Sequence, residues 1–234
     1  MSSAPETTDG ERLRAGAAEL GLSLDGLAID RFARFAELLA DANRRVNLTR
    51  VDPSEFVTLH FLDSLLIAAQ WRPASGEAVI DVGTGAGFPG LPIAIAFPQA
   101  RVTLLDGTRK KLEFLDAAIA ELGLTNAQTL HGRAEEIARF QEHRAAYDVA
   151  AARAVARLAR LAGWMVPLIR PGGFAVAYKS GTAGDEIEEA RRTLERSGLT
   201  VRERRAPLPG TDIVRTLVTI GKPDRSSPSG ARKR

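Results

Sequence analysis

The chain has 234 residues, of which 44% are hydrophobic and 26% charged, and this composition is typical of a folded globular protein with one principal core. It contains no cysteine, which excludes disulfide frameworks, thiolate metal sites and any mechanism with a cysteine nucleophile. The formal net charge is +3, but residues 222–234 hold five basic residues against one acid, so a basic surface elsewhere would depend on local arginine clusters.

The N-terminal third is predicted to be helical. Residues 1–10 form an expected flexible N-terminus with no basic and apolar leader pattern, and no apolar run reaches membrane-spanning length, so we expect a cytoplasmic protein. Apolar residues then recur at steps of three and four, for example at Phe32, Phe35 and Leu39. Residues 11–74 are therefore predicted to form a helical cap.

Short apolar runs alternate with helical stretches from residue 75 onward. The predicted strands span residues 78–82, 101–106, 127–131, 147–152, 173–179, 199–205 and 213–221. Only a loop joins the last two, so they should pair antiparallel at one edge. We therefore predict an α/β domain over residues 75–222, with a seven-stranded, mostly parallel sheet and an antiparallel edge strand, followed by a basic disordered tail at 223–234.

The first strand leads into the loop DVGTGAGFPG, residues 81–90. Gly85, Gly87 and Gly90 have the spacing G-x-G-x-x-G of dinucleotide-binding loops. However, Asp81 precedes the glycines directly, and a negative charge there disfavours a pyrophosphate group and suits a cofactor with a positive centre. The tighter spacing of Gly83, Gly85 and Gly87 after Asp81 is therefore the more informative pattern.

Two later strand ends carry residues that suit an adenosine cofactor. Asp106 ends the second strand about 20 residues after the loop, where an acid accepts from ribose hydroxyls. Ala134 and Glu135 follow the third strand, where they could flank an adenine. Alternatively, Asp106 caps the next helix, and Glu135 is an acid favoured by a helix dipole. Their order along the chain favours a nucleotide-like cofactor.

These motifs resemble those of a known enzyme family. Asp81-x-Gly83-x-Gly85-x-Gly87 is similar to the first motif of the class I S-adenosylmethionine-dependent methyltransferases. Together with NLT at residues 47–49, HFLDSL at 60–65, TLLD at 103–106, AEE at 134–136 and RAVARL at 153–158, the chain resembles the ribosomal small-subunit RNA methyltransferase G family, also called GidB, over about residues 25–221. It departs from the family at Leu59, where a basic residue usually precedes the histidine.

The resemblance implies a Rossmann-like class I methyltransferase fold and methylation of N7 of a specific guanine in the decoding-region loop of 16S rRNA. It implies S-adenosylmethionine as cofactor, and 16S rRNA or the small ribosomal subunit as partner. With the loop and strand-end residues above, the predicted cofactor-binding residues are Asp81, Gly83, Gly85, Gly87, Phe88, Asp106, Ala134, Glu135 and Arg153. The predicted substrate-binding residues are Asn47, His60, Asp63, Ser64 and Lys179.

The methyl transfer implied by the resemblance requires few catalytic groups from the protein. Guanine N7 carries a lone pair and no proton, so the reaction needs alignment and no general base. No catalytic residue is assigned, with Arg153 and Lys179 as candidates, and neither a metal nor an oligomer is expected. Arg153 could instead pair with Asp81 or Glu135, Lys179 could be solvated, and Asp63 could bond helix to sheet.

Two other functions stay open on the sequence. One is an NAD(P)-dependent oxidoreductase, because such an enzyme shares the glycine loop and Asp106. The other is a noncatalytic RNA-binding protein that retains a cofactor-like loop.

Overall fold

The computed structural model describes residues 8–224. Two helices open this part of the chain, α1 (Asp9–Glu19) and α2 (Gly26–Asn43). Thr8 and Glu11 form a capping box at the start of α1, and the Asp25 side chain accepts the amide of Ala28 at the start of α2. Most of the predicted flexible N-terminus, residues 1–10, lies outside the described residues. α1 begins at Asp9 and so includes the last two residues of that predicted segment.

A composite helical segment, residues 53–69, connects α2 to the sheet. It consists of a 3₁₀ turn Pro53–Glu55, a π-helical turn Phe56–Leu62, the short helix α3 (Asp63–Leu65) and a second 3₁₀ turn Leu66–Ala69. The wide π turn is a local irregularity of the kind often found at functional sites. It contains His60 and leads directly into Asp63.

Seven strands form one sheet. They are β1 (Ala78–Val82), β2 (Arg101–Asp106), β3 (Ala127–His131), β4 (Tyr147–Arg153), β5 (Ile169–Ser180), β6 (Thr200–Pro207) and β7 (Val214–Gly221). Their order is β3-β2-β1-β4-β5-β7-β6, with parallel pairing from β3 to β5. β7 runs antiparallel to both β5 and β6, as predicted for the last two strands, and it lies one place inside the edge that β6 forms.

Helices connect the strands on both faces of the sheet. They are α4 (Gly90–Ala96), α5 (Arg109–Glu121), α6 (Ala134–Ile137), α7 (Leu158–Met165) and α8 (Gly184–Arg196). α7 ends at Met165, and Ile169 already pairs with Tyr147 as the first residue of β5, which therefore begins before the strand predicted at residues 173–179.

Successive residues of β1 point into two different cores. Val79 packs in a cluster that includes Phe32, Phe35 and Phe61, while Ile80 packs in a second cluster on the other face. The predicted cap of residues 11–74 therefore shares one apolar core with a face of the sheet. Within residues 8–224, no helix has the length and apolar character needed to cross a membrane.

Candidate active site

A cavity of about 580 Å³ lies at the carboxyl ends of the parallel strands. This is the edge at which open α/β sheets bind ligands. Its walls come from the loops after β1, β3 and β4, from the end of β2 and from the helical segments before the sheet. The predicted site residues that line it are Gly83, Gly85, Phe88, Asp106, Ala134, Glu135, Arg153 and His60.

The glycine loop forms the floor of the cavity. Gly83, Gly85 and Gly87 have φ angles of 74°, 61° and 99°, which favour glycine. A Cβ atom on Gly83 would lie 3.0 Å from both methyl groups of Val155. Gly87 instead turns toward the core, where a Cβ would lie 2.9 Å from Leu115 Cδ2. Gly83 therefore permits the close approach of Val155 at the cavity wall, whereas Gly87 permits packing underneath.

Asp81 lies beneath this loop and not on the cavity wall. It is fully buried, and its Oδ2 accepts from the Thr84 hydroxyl at 2.6 Å and from the Gly90 amide at 2.8 Å. Burial raises the pKa of Asp81 to about 7, although these two hydrogen bonds act in the opposite direction. The position differs from the predicted direct cofactor contact: Asp81 holds the loop closed from below.

Asp106 combines the two roles that the sequence left open. Its Oδ2 accepts from the Gly85 amide at 2.9 Å, and its Oδ1 accepts from the Thr108 amide at 2.8 Å, just before α5. Lys111 Nζ lies 3.9 Å from Oδ2. Each carboxylate oxygen has a further lone pair, so Asp106 can fix the loop and still accept a hydroxyl from the cavity.

The side chains of His60, Phe88 and Arg153 stack on one another and form one wall of the cavity. The His60 ring lies 4.1 Å from the Phe88 ring at an interplanar angle of 13°, and Arg153 Cζ lies 5.0 Å from the same ring. Arg153 Nη2 lies 3.2 Å from His60 Nδ1. Burial and the charge of Arg153 lower the pKa of His60 to about 3, so its ring is neutral at physiological pH.

Asp63 is engaged by two arginines behind this wall. Its side chain is only 3% exposed, and it accepts from Arg153 Nη1 at 2.9 Å and from Arg215 Nε at 2.9 Å. Arg153 also donates to the Leu59 carbonyl at 3.0 Å, while the Leu59 side chain packs half-buried against the core. Asp63 therefore bonds helix to sheet: it lies outside the cavity lining and both its oxygens accept from arginines, which differs from the position predicted for a substrate contact.

Ser64 also connects the helical segment to the sheet. It is fully buried, its hydroxyl donates to the His60 carbonyl at 2.6 Å, and its own carbonyl accepts from the Tyr178 hydroxyl at 2.7 Å. Ser64 thus has no surface toward the cavity, contrary to the expected substrate contact. Asn47 is exposed and lies outside the cavity lining.

Lys179 supports the loop after β4. Its Nζ donates to the Ala156 carbonyl at 2.6 Å and to Glu186 Oε1 at 2.7 Å, and its side chain is 11% exposed. Glu186 also accepts the amide of Leu158 at the start of α7. Burial raises the pKa of Glu186, but these hydrogen bonds outweigh it and the net pKa is lowered. Lys179 is therefore neither solvated nor aimed at a substrate, because both its partners belong to the protein.

Sequence reasoning missed two residues of this site. Thr49 lines the cavity with its hydroxyl 2.8 Å from His60 Nε2. It belongs to the NLT motif, in which Asn47 and not Thr49 is the predicted substrate contact. Arg215 belongs to no motif. Its place as a basic residue near the start of an apolar strand is the one feature of the sequence that indicates a buried acidic partner.

Comparison with known proteins gives a consistent match. Residues 28–206 match the family described as "GidB: rRNA small subunit methyltransferase G". The chain is 40% identical over 209 residues to a "Ribosomal RNA small subunit methyltransferase G" of Lachnoclostridium phytofermentans, covering 88% of this chain and 86% of the relative. It is 41% identical over 207 residues to the protein of that name in Exiguobacterium sibiricum, covering 88% and 87%.

Solved structures agree with the fold. A "SAM dependent methyltransferase" from Aquifex aeolicus matches with a TM-score of 0.53 and 18% identity, over 72% of this chain and 93% of that chain. This degree of identity bears on the architecture alone. The fold of this chain is therefore similar to that of this solved structure.

Proposed function

The chain belongs to the GidB family, rRNA small subunit methyltransferase G, and from this premise we propose that it transfers the methyl group of S-adenosylmethionine to N7 of a guanine in the decoding-region loop of 16S rRNA. The observation that carries the proposal is the cavity itself. Its floor and one wall have the residues that an adenosyl cofactor requires, while its other wall, with Phe88, His60 and Thr49, has uncharged rings and a hydroxyl suited to a base.

The cavity fits S-adenosylmethionine in three respects. A Cβ on Gly85 would meet only the Gly83 carbonyl oxygen, at 4.0 Å, so this cavity-lining glycine leaves open space for a ligand. Asp106 has lone pairs left for ribose hydroxyls, and Ala134 and Glu135 line the far end. Asp81 supports the loop from below through Thr84 and Gly90 and is not part of the cavity lining, so it leaves the cavity side of the loop free for the cofactor.

The residues present suit a reaction without proton abstraction. When bound, S-adenosylmethionine supplies an electrophilic methyl group. Guanine N7 attacks with its own lone pair and loses no proton, so the protein needs to align the base and exclude water. His60 is neutral and its Nδ1 faces Arg153, so it acts as a wall and not as a base. Asp63 holds Arg153 in place from behind.

An exposed basic rim supports RNA binding around the cavity mouth. Arg133 and Arg160 line the cavity, and Arg160 lies over the Trp164 ring at 4.9 Å. Arg44 and Arg50 are exposed on either side of the turn that carries Thr49. Such arginines attract the phosphate backbone in a salt-dependent manner. We further propose that the protein acts in the cytoplasm as a monomer and without a metal. The methyl transfer described above requires neither a metal nor a second subunit.

The test incubates the protein with labelled S-adenosylmethionine and small ribosomal subunits that lack the modification, and maps the product by cleavage at N7-methylguanine. We expect one labelled guanine in 16S rRNA. Label at another nucleotide, or none while the cofactor binds, would contradict the proposal. An oxidoreductase would instead be stabilised by NADH, and a noncatalytic binder would retain RNA without labelling it.

Two glycine variants test the cofactor cradle. Gly83→Asp is expected to weaken S-adenosylmethionine binding by about 100-fold or more, because it places an unpaired carboxylate against Val155 in a tight site. Gly76→Asp is the matched control, since Gly76 also has a positive φ of 80° but nothing within 4 Å of its would-be Cβ. Titration calorimetry measures both affinities, and RNA affinity should be retained in each. Equal losses in the two variants would argue against the cradle.

A further inference from the structure

The Thr49 hydroxyl occupies a defined position on the cavity wall. The turn that carries it is fixed by Asn43, whose Oδ1 accepts the amides of Leu48 and Thr49 at 2.8 and 2.9 Å. The Asn43 amide group in turn donates to the Thr49 carbonyl at 3.0 Å. Three hydrogen bonds from one side chain thus determine where the Thr49 hydroxyl lies.

Arg153 determines the tautomer of the neighbouring histidine. A guanidinium group has only donors, so the 3.2 Å contact from Arg153 Nη2 to His60 Nδ1 requires Nδ1 to accept. The neutral imidazole then carries its proton on Nε2. His60 Nε2–H therefore donates to Thr49 Oγ1 at 2.8 Å.

The same oxygen receives a second hydrogen bond. The Val51 amide donates to Thr49 Oγ1 at 3.1 Å, so both lone pairs of the hydroxyl are engaged. Among residues 8–224, the hydroxyl hydrogen of Thr49 has no acceptor. Because Thr49 lines the cavity, this hydroxyl is free to donate a hydrogen bond to a group bound there.

We propose that Thr49 donates to O6 of the target guanine and thereby selects guanine over adenine. This inference rests on the proposed function. Guanine presents the acceptor O6 beside N7, whereas adenine presents an amino donor at the same place. A hydroxyl that can only donate can bind guanine O6. With adenine it would face the amino group, which is also a donor, and no hydrogen bond would form. An anionic group is served better by the arginines of the cavity, Arg133, Arg153 and Arg160, so a neutral carbonyl is the fitting partner for Thr49.

The test is a double-mutant cycle between the protein and the RNA. Thr49→Val removes the hydroxyl at nearly constant shape, and 2-aminopurine at the target position removes O6 and the N1 hydrogen while keeping N7 and the 2-amino group, so the contact of Thr49 is given by the interaction between the two changes. Single-turnover methylation is measured for both proteins on small subunits carrying either base. In the wild-type protein, loss of O6 should lower the rate about tenfold, the size of one hydrogen bond between neutral groups. In Thr49→Val, the two bases should react at nearly equal rates.

The cycle separates a contact from a structural role. A purely structural Thr49 would lower the rates on both bases by the same factor, and such additivity would overturn the inference. Thr49→Ser keeps the donor and should restore the tenfold discrimination. Weakened S-adenosylmethionine binding in Thr49→Val, measured by calorimetry, would assign the hydroxyl to the cofactor and also overturn it. If the wild-type protein methylates no guanine N7, the proposed function itself fails; if it does and the effects are additive, only the role of Thr49 fails.

Discussion

Asp81 is a buried carboxyl that supports the glycine loop, and its contribution to stability depends on pH. Its oxygens are out of contact with water, and only Oδ2 has partners among the described residues. Burial raises its pKa from 3.8 to about 7, so the folded protein retains this proton at pH values where the unfolded chain has lost it. Between about pH 4 and 7, the unfolded state therefore binds fewer protons, and the contribution of Asp81 to stability falls as the pH rises.

Asp81→Asn tests this dependence. The amide oxygen can accept from Thr84 and Gly90 but cannot ionise, so the variant should gain stability relative to the wild-type protein as pH rises. We expect this gain to build up between about pH 4 and 7, and to be on the order of a few kcal/mol in all. Urea denaturation at a series of pH values measures it. His60 titrates in both proteins and cancels in the difference, and parallel curves for the two proteins would show that folding does not raise the pKa of Asp81.

At the scale of elements, the loop between β4 and α7 closes one side of the cavity. Ala154 has a φ of 56°, which non-glycine residues seldom adopt, and Val155 beside it is 36% exposed above Gly83. Lys179 and Glu186 hold the following residues from β5 and α8. The conformation of this wall therefore depends on two elements that follow it in the chain.

Glu186→Gln should loosen this loop. The variant loses the charge that pairs with Lys179, and we expect a loss of about 1–2 kcal/mol in the free energy of unfolding and several-fold weaker binding of S-adenosylmethionine. Glu189→Gln on the same helix is the control, since Glu189 forms a solvent-exposed pair with Arg157 in the same loop. The control should change stability by less than about 0.5 kcal/mol. Thermal melts and calorimetry measure both variants, and equal cofactor affinity in the two would mean that the buried pair does not support the site.

At the scale of the whole molecule, Asp63 connects three parts of the chain. It lies in α3, and its two arginine partners lie in β4 and β7. Both partners are more than half buried, as is Asp63 itself. This carboxylate therefore joins the helical segment before the sheet to the antiparallel end of the sheet.

Asp63→Asn should be strongly destabilising. Removal of the charge leaves two largely buried arginines without their acid, and a loss of about 3–5 kcal/mol in the free energy of unfolding is expected. Asp41→Asn removes the acid of an exposed pair with Arg45 and should cost less than about 1 kcal/mol. Chemical denaturation gives both values. A loss of under 1 kcal/mol in Asp63→Asn would mean that the apolar core alone attaches the helices to the sheet.

The positions of the glycine loop and of Asp106 at the cavity could be predicted because these residues act locally. The glycines follow a strand directly, and Asp106 ends the next strand, so spacing along the sequence already determines where they lie in a parallel sheet. The antiparallel pairing of the last two strands was predictable for the same reason, since only a loop joins them. Asp81 was recognised by its place in the motif, but its depth below the loop depends on the packing of Gly90 and was not visible in the sequence.

The sequence by itself determined the α/β class, the order of the elements and the loop that would hold a cofactor, because these follow from periodicity, strand ends and glycine backbone freedom. Only the tertiary structure decided which polar residues face the cavity. Asp63 and His60 share a helical turn and looked equivalent, yet Arg215, 152 residues further along the chain, engages one of them, while Arg153 and Thr49 orient the other. A side chain's role depends on which charges and donors surround it, and these partners come together only when distant segments pack.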